Sequence, residues 1–306
     1  MLDGRELILH VGAHKTASSF LQIMLREHAP ELRRSGLTAV HRAEIMKSSF
    51  YENIASILDG RGPIDAGKAK VSLGFLFKNK KKHILFSNED MLCRIDKSEF
   101  FPRSKECMKF IREVTGDGTI RTILFTRSQP DYIESIFMQF MHLGRTFGFD
   151  EFLKRYRNVD LSWKRVLDDM ASVIGQENVT AIPYESIKRI GSQAFFQHFL
   201  AKCGVTQPET FEVPEAKSLS RGANRSYSGE ALKIARAINP LLDDADKPKL
   251  RKFLQENYST ATHAKAELFT PEQREAMIGE YADSNMEIFE TYMPDWQEER
   301  RFYVPS

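Results

Sequence analysis

Five short apolar runs, each followed by a stretch of helical periodicity, leave residues 6–203 few architectures to adopt. The runs are Leu7–Gly12, Leu37–Val40, His83–Ser87, Thr119–Thr126 and Asn178–Pro183. Continuous apolar runs of this length suit strands buried on both faces, as in a parallel sheet. Between and after them, apolar spacing predicts helices at Thr16–Arg34, Glu44–Leu58, Asp65–Lys78, Arg103–Thr115, Pro130–His142, Phe149–Arg157, Leu161–Ile174 and Glu185–Cys203. Alternation of this kind, with right-handed crossovers, gives an α/β fold. The expected core is a P-loop-like parallel sheet of about five strands flanked by helices. Beyond residue 204 come a polar loop, Pro208–Asn224, and helical stretches at Gly229–Ile238, Asp243–Tyr258 and Pro271–Tyr292. One domain is expected over residues 1–306, with a core at about 6–203 and a C-terminal helical extension at about 204–306.

A chain of 306 residues buries a sizeable core without staples. Forty-four Lys and Arg against forty-two Asp and Glu leave a formal charge of +2, which lacks the footprint of a dedicated nucleic-acid binder. Cys93, Cys107 and Cys203 are odd in number and widely spaced, so they form neither a disulfide framework nor a zinc pattern. They read as reduced, buried thiols. The run Lys78–Lys82 reads as a solvated turn before a strand. The charged start, Met1 to Glu6, lacks an export signal, and no stretch approaches the roughly 20 apolar residues of a membrane span. A cytoplasmic location is expected.

The first strand-to-helix turn carries the strongest chemical signal. Val11-Gly12-Ala13-His14-Lys15-Thr16-Ala17-Ser18-Ser19 is a small-residue loop leading directly into a helix. A helix N-terminus offers unpaired N–H groups and a positive dipole end. Lys15 adds a full charge, and Thr16, Ser18 and Ser19 add hydroxyls, so the turn favours phosphate or sulfate. The nucleotide-triphosphatase loop G-x-x-x-x-G-K-[ST] fits poorly, because His14 stands where its second Gly belongs. The turn resembles instead the 5'-phosphosulfate loop of sulfotransferases, Lys-Thr-Gly-Thr-Thr. Here it reads Lys15-Thr16-Ala17-Ser18-Ser19, with Ala17 for the usual Gly.

A second motif has the setting that the same family uses. The strand Thr119–Thr126 ends in Arg127, and Ser135 follows eight residues later inside the next helix. Sulfotransferases bind the donor's 3'-phosphate with an Arg and a Ser so placed. An Arg forks onto phosphate bidentately and a Ser adds a hydroxyl. The core therefore resembles the PAPS-dependent sulfotransferase family, most closely its bacterial, carbohydrate-type branch.

That resemblance implies an enzyme that moves a sulfuryl group from 3'-phosphoadenosine 5'-phosphosulfate (PAPS), a co-substrate, to a hydroxyl of a carbohydrate or other small acceptor. No metal is implied. Gly12, Ala13, His14, Lys15, Thr16, Ala17, Ser18 and Ser19 would line the donor together with Arg127 and Ser135. Lys15 would also stabilise the leaving phosphate. His14 would touch the donor sulfate or serve as a spacer. The stretch Lys217–Ser226 would fold over the nucleotide, with Arg221 and Asn224 as contacts. The base that accepts the hydroxyl proton would be His41, ending the second strand, or Glu89, just past the third. Both strands are expected to flank the first. The alternatives are a P-loop nucleotide-dependent phosphotransferase, with the acids after His83–Ser87 as metal ligands, and an inactive binding protein on the same fold. The partner is a small-molecule or glycan acceptor, with no nucleic acid and no membrane span. The oligomeric state is left open.

Overall fold

Leu7, Ile8 and Leu9 are fully buried because their strand lies at the centre of the sheet. The computed structural model describes residues 2, 4–97, 99–215 and 226–305. Its strands are β1 (Glu6–His10), β2 (Leu37–Val40), β3 (His83–Ser87), β4 (Thr119–Thr126) and β5 (Val179–Pro183). They form one five-stranded sheet in the order β2-β3-β1-β4-β5, and every neighbouring pair is parallel.

Helices fill the connections. After β1 come α1 (Ser18–Glu27) and α2 (Ala29–Arg34). After β2 come α3 (Arg42–Met46), α4 (Ser49–Leu58) and α5 (Ala66–Phe77). Then α6 (Ser104–Thr115) follows β3, and α7 (Gln129–His142), α8 (Phe149–Tyr156) and α9 (Trp163–Ile174) follow β4. The core closes with α10 (Ser186–Lys202) after β5. The period-2 alternation of the strands sends side chains to two helical layers. Phe86 on β3 meets Phe50 of α4, with ring centroids 6.0 Å apart. His10 on β1 and Phe125 on β4 meet Phe199 of α10, at 5.3 and 6.0 Å. His10 is a core residue: its Nδ1 lies 2.8 Å from Ser87 Oγ, and burial pushes its pKa down to about 3. All three cysteines are free and buried.

Three predicted helices are broken where local chemistry competes. The expected Thr16–Arg34 helix divides at His28, where Pro30 begins a new first turn. Glu44–Leu58 divides at Ser48, whose hydroxyl accepts the Tyr51 amide at 3.2 Å and caps α4. The expected Pro271–Tyr292 helix divides at Tyr281.

The extension consists of α11 (Gly229–Ile238), α12 (Lys247–Asn257), α13 (Pro271–Glu280), α14 (Ala282–Thr291) and a 3-10 run, Pro294–Phe302. It packs onto α7 through α11 and α13, and onto α9 through α14. Charges reinforce the first contact. Arg274 reaches Asp131 at 2.8 Å and Glu134 at 2.7 Å, and Lys265 reaches Glu134 at 2.8 Å. Among the described residues, no helix is long and apolar enough to cross a membrane.

Candidate active site

The carboxyl end of β1 turns sharply because Gly12, Lys15 and Ala17 all take positive φ, at 101°, 66° and 68°. Gly12 is needed here for space as well as conformation. A Cβ at this position would lie 3.2 Å from Glu89 Cβ. Ala17 holds the left-handed conformation that a glycine adopts freely, at a cost of roughly 1–2 kcal/mol. The loop is tied to β4, where the Phe125 amide donates to Gly12 O at 2.7 Å and the Ala13 amide to Phe125 O at 3.0 Å. Thr16 and Ser18 secure it from within, both donating to Ala13 O, at 2.6 and 3.4 Å. Ser19 is exposed. Helix α1 starts without a side-chain cap and without an acidic residue in its first turn. Its N-terminal amides and dipole are therefore left for an anion.

Positive charge gathers at this turn. Lys15 Nζ donates to Gln139 Oε1 on α7 at 3.1 Å. Burial, then Arg127 and Arg251, push the Lys15 pKa down to about 8. Arg127 leaves the end of β4 and donates to Lys15 O at 2.8 Å. Its carbonyl accepts from the Trp163 indole at 2.7 Å, and its guanidinium lies 5.0 Å from the Tyr184 ring centroid. Its Nε is buried without a protein partner. The residues on either side of Arg127 are held from behind. Glu185 accepts the Ser128 amide at 3.0 Å, and the buried Tyr303 hydroxyl meets Glu185 at 2.7 Å and Thr126 Oγ1 at 3.0 Å.

Ser135, Gln139 and His142 fall at i, i+4 and i+7, one face of α7. The Gln139 bond to Lys15 sets that face toward the loop. His142 Nε2 is buried without a partner, and its ring lies 4.1 Å from that of Tyr227. Burial, with Lys15 and Arg251, keeps its pKa well below the usual histidine value, so the ring is neutral. Gln139, His142, Tyr227 and Arg251 were not among the residues singled out from the sequence. The first two follow from Ser135 by helical spacing alone. Tyr227 and Arg251 come from the extension, and no local pattern announces them.

The segment after β3 forms the other wall. Glu89 is half-buried against Gly12, and its Oε2 accepts from Gln22 Nε2 at 2.9 Å. The same Gln22 amide donates to Ser87 O at 3.2 Å. His14 turns its Nε2 toward Cys93 O at 3.0 Å and Asp90 at 3.3 Å. Arg42 pairs with Asp90 and donates to Asn88 Oδ1 at 3.2 Å. Burial opposes the charge on Asp90, but His14 and Arg42 hold its pKa below the ordinary value. The expectation that β2 flanks β1 is corrected: β3 and β4 flank it, and β2 is the sheet edge. His41, exposed at the end of β2, is thus separated from the loop by β3, whereas Glu89 lies against it. Arg221 and Asn224 lie outside the described residues.

No family model matches this chain, and no curated protein matches it. Among solved structures, the crystal structure of a sulfotransferase from Alicyclobacillus acidocaldarius aligns with a TM-score of 0.54. The alignment covers 97% of this chain and 99% of that one, at 14% sequence identity. The fold is sulfotransferase-like. A likeness spanning nearly all of both chains includes the helical extension, so the region that supplies Arg251 and Tyr227 belongs to the shared architecture.

Proposed function

We propose that this protein is a PAPS-dependent sulfotransferase, transferring a sulfuryl group to a hydroxyl of a carbohydrate or other small acceptor. The observation that carries the reading is the convergence of Lys15, Arg127 and Arg251 on the uncapped start of α1. Such a cluster repels itself when empty, and an anion of several charges relieves it.

In this reading the amides of α1 and the Ser19 hydroxyl hold the 5'-phosphate, and the Thr16 and Ser18 hydroxyls join them by turning from Ala13 O. Arg127, with Ser135, holds the 3'-phosphate. The acceptor oxygen attacks sulfur in line, and its new O–S bond forms as the bond from sulfur to the phosphate oxygen breaks. Glu89 takes the hydroxyl proton. Lys15 meets the charge that develops on the departing phosphate of adenosine 3',5'-bisphosphate. His14 acts as a spacer that ties the loop to the segment bearing Asp90.

Arg127→Ala is expected to weaken binding of adenosine 3',5'-bisphosphate far more than that of adenosine 5'-phosphate. Each lost charge-assisted bond is worth roughly 1.5–3 kcal/mol. Calorimetric titration of both nucleotides checks this, and an equal loss for the two would remove Arg127 from the 3'-phosphate. The same titrations include ATP with magnesium, which is the ligand a phosphotransferase would prefer.

A pH dependence follows from Lys15. Its depressed pKa leaves it charged below about pH 8 and neutral above. Affinity for the bisphosphate is therefore expected to fall as pH rises from 7 to 9. The bound anion raises the lysine's pKa, so binding near pH 8 takes up a proton. Calorimetry in two buffers of different ionisation enthalpy measures that uptake. Binding that is flat with pH and moves no proton would place Lys15 away from the ligand.

A further inference from the structure

A cavity of about 520 Å³ lies between the end of α7, α8 and the start of α12, within the roughly 300–1,000 Å³ typical of small-molecule sites. Its lining comes from segments that neighbour site residues in the chain. Asp96 contributes from the segment that follows Glu89, and Gly144 and Arg145 from the end of α7, just past His142. Lys247 contributes from α12, one turn before Arg251 and so on the same face. The contact between α7 and α12 is close there: a Cβ on Gly144 would lie 2.5 Å from Lys247 Cδ.

The lining is unbalanced in charge. Arg145, Arg155 and Lys247 face it together with one carboxylate, Asp96, which Arg94 already binds at 2.7 Å. Arg155 is pre-placed by stacking 4.2 Å from the Phe147 ring centroid. Its carboxylate partner, Glu151, is 3.4 Å away and 61% exposed. The partner of Lys247, Asp244, is 99% exposed. Exposed pairs of this kind contribute little and give way to a better-placed anion. Arg145 makes no contact ion pair among the described residues, but lies within electrostatic reach of the same exposed Asp244.

We infer that this cavity is the acceptor site and that the acceptor is itself anionic: a hydroxyl compound of about mono- to disaccharide size bearing a carboxylate, sulfate or phosphate. Naming it the acceptor site rests on the sulfuryl-transfer reading; the preference for an anion rests on the lining alone.

The test is calorimetric titration of the full chain with saturating adenosine 3',5'-bisphosphate. Two matched pairs serve as probes: p-nitrophenyl β-glucuronide against p-nitrophenyl β-glucoside, and glucose 6-phosphate against glucose. The charged member of at least one pair is expected to bind at least about tenfold more tightly than its neutral partner. Arg145→Glu, an exposed change that leaves the core untouched, is expected to erase that preference while bisphosphate affinity stays within about twofold. Equal or weaker binding of both charged members, or a preference that survives Arg145→Glu, overturns the inference. If the bisphosphate itself does not bind, the transfer reading falls. The same pairs, titrated without it into wild type and Arg145→Glu, still decide whether the cavity selects anions.

Discussion

Lys15→Ala is expected to lose about 10²–10³ in turnover, the usual cost of removing a fixed charge that meets the transition state. The folded protein is expected to keep, or slightly raise, its thermal midpoint. The reason lies in the sign of the lysine's shift. Its pKa is pushed down to about 8 in the folded chain, by burial and by Arg127 and Arg251, against about 10.4 in an unfolded one. At pH 7 the folded state therefore carries this charge at a disadvantage, which shrinks as pH rises from 8 toward 10. Alanine removes the disadvantage together with the catalytic group. Rates with PAPS and thermal scans with and without adenosine 3',5'-bisphosphate separate the two effects. The variant's midpoint should also rise less on adding the nucleotide. Near-normal turnover would sink the assignment, and a collapse of the midpoint would make Lys15 structural.

Glu89→Gln is expected to lower kcat by at least about 10²-fold with bisphosphate affinity nearly unchanged. The substitution keeps the shape that fits against Gly12, and it leaves an oxygen to accept from Gln22, so only the capacity to take a proton is lost. His41→Ala serves as the paired measurement and is expected to stay within a few-fold of wild type, because the histidine sits across β3 from the loop. Wild-type turnover in both variants on a true acceptor would move the base elsewhere.

The contrast between these two candidates shows where reading the sequence runs out. Each strand was legible because a parallel strand buried on both faces must be apolar along its length, as Ile123, Leu124 and Phe125 are. The order of strands is not local information. Leu37–Val40 looks the same whether it lies beside β1 or at the edge, so His41 and Glu89 were equivalent on paper. The turn at residues 12–19 was legible because small residues, a lysine and a helix start are contiguous. Its details were not: the His14 ring faces Cys93 and Asp90, contacts made about 80 residues away in the chain. Arg251 on α12 acts on Lys15 from the extension, and the buried Tyr227 meets His142 of α7; nothing in their own sequence neighbourhoods announces either contact.

The tie between Tyr303, Glu185 and Thr126 carries a consequence for the order of assembly. Glu185 is a buried carboxyl whose pKa burial pushes up, with the Ser128 amide, Arg127 and the Tyr303 hydroxyl opposing. In a chain still emerging from the ribosome the sheet is complete once β5 has appeared, yet Glu185 then lacks the hydroxyl that it meets in the finished molecule. Only after residue 303 is free can the Thr126 hydroxyl, just before Arg127, and Glu185, which holds the Ser128 amide just after it, gain their bonds to the Tyr303 hydroxyl. Although Arg127 lies in the first half of the chain, its surroundings are among the last to mature, and a nascent protein passes through a stage with a finished sheet and an unfinished anion site.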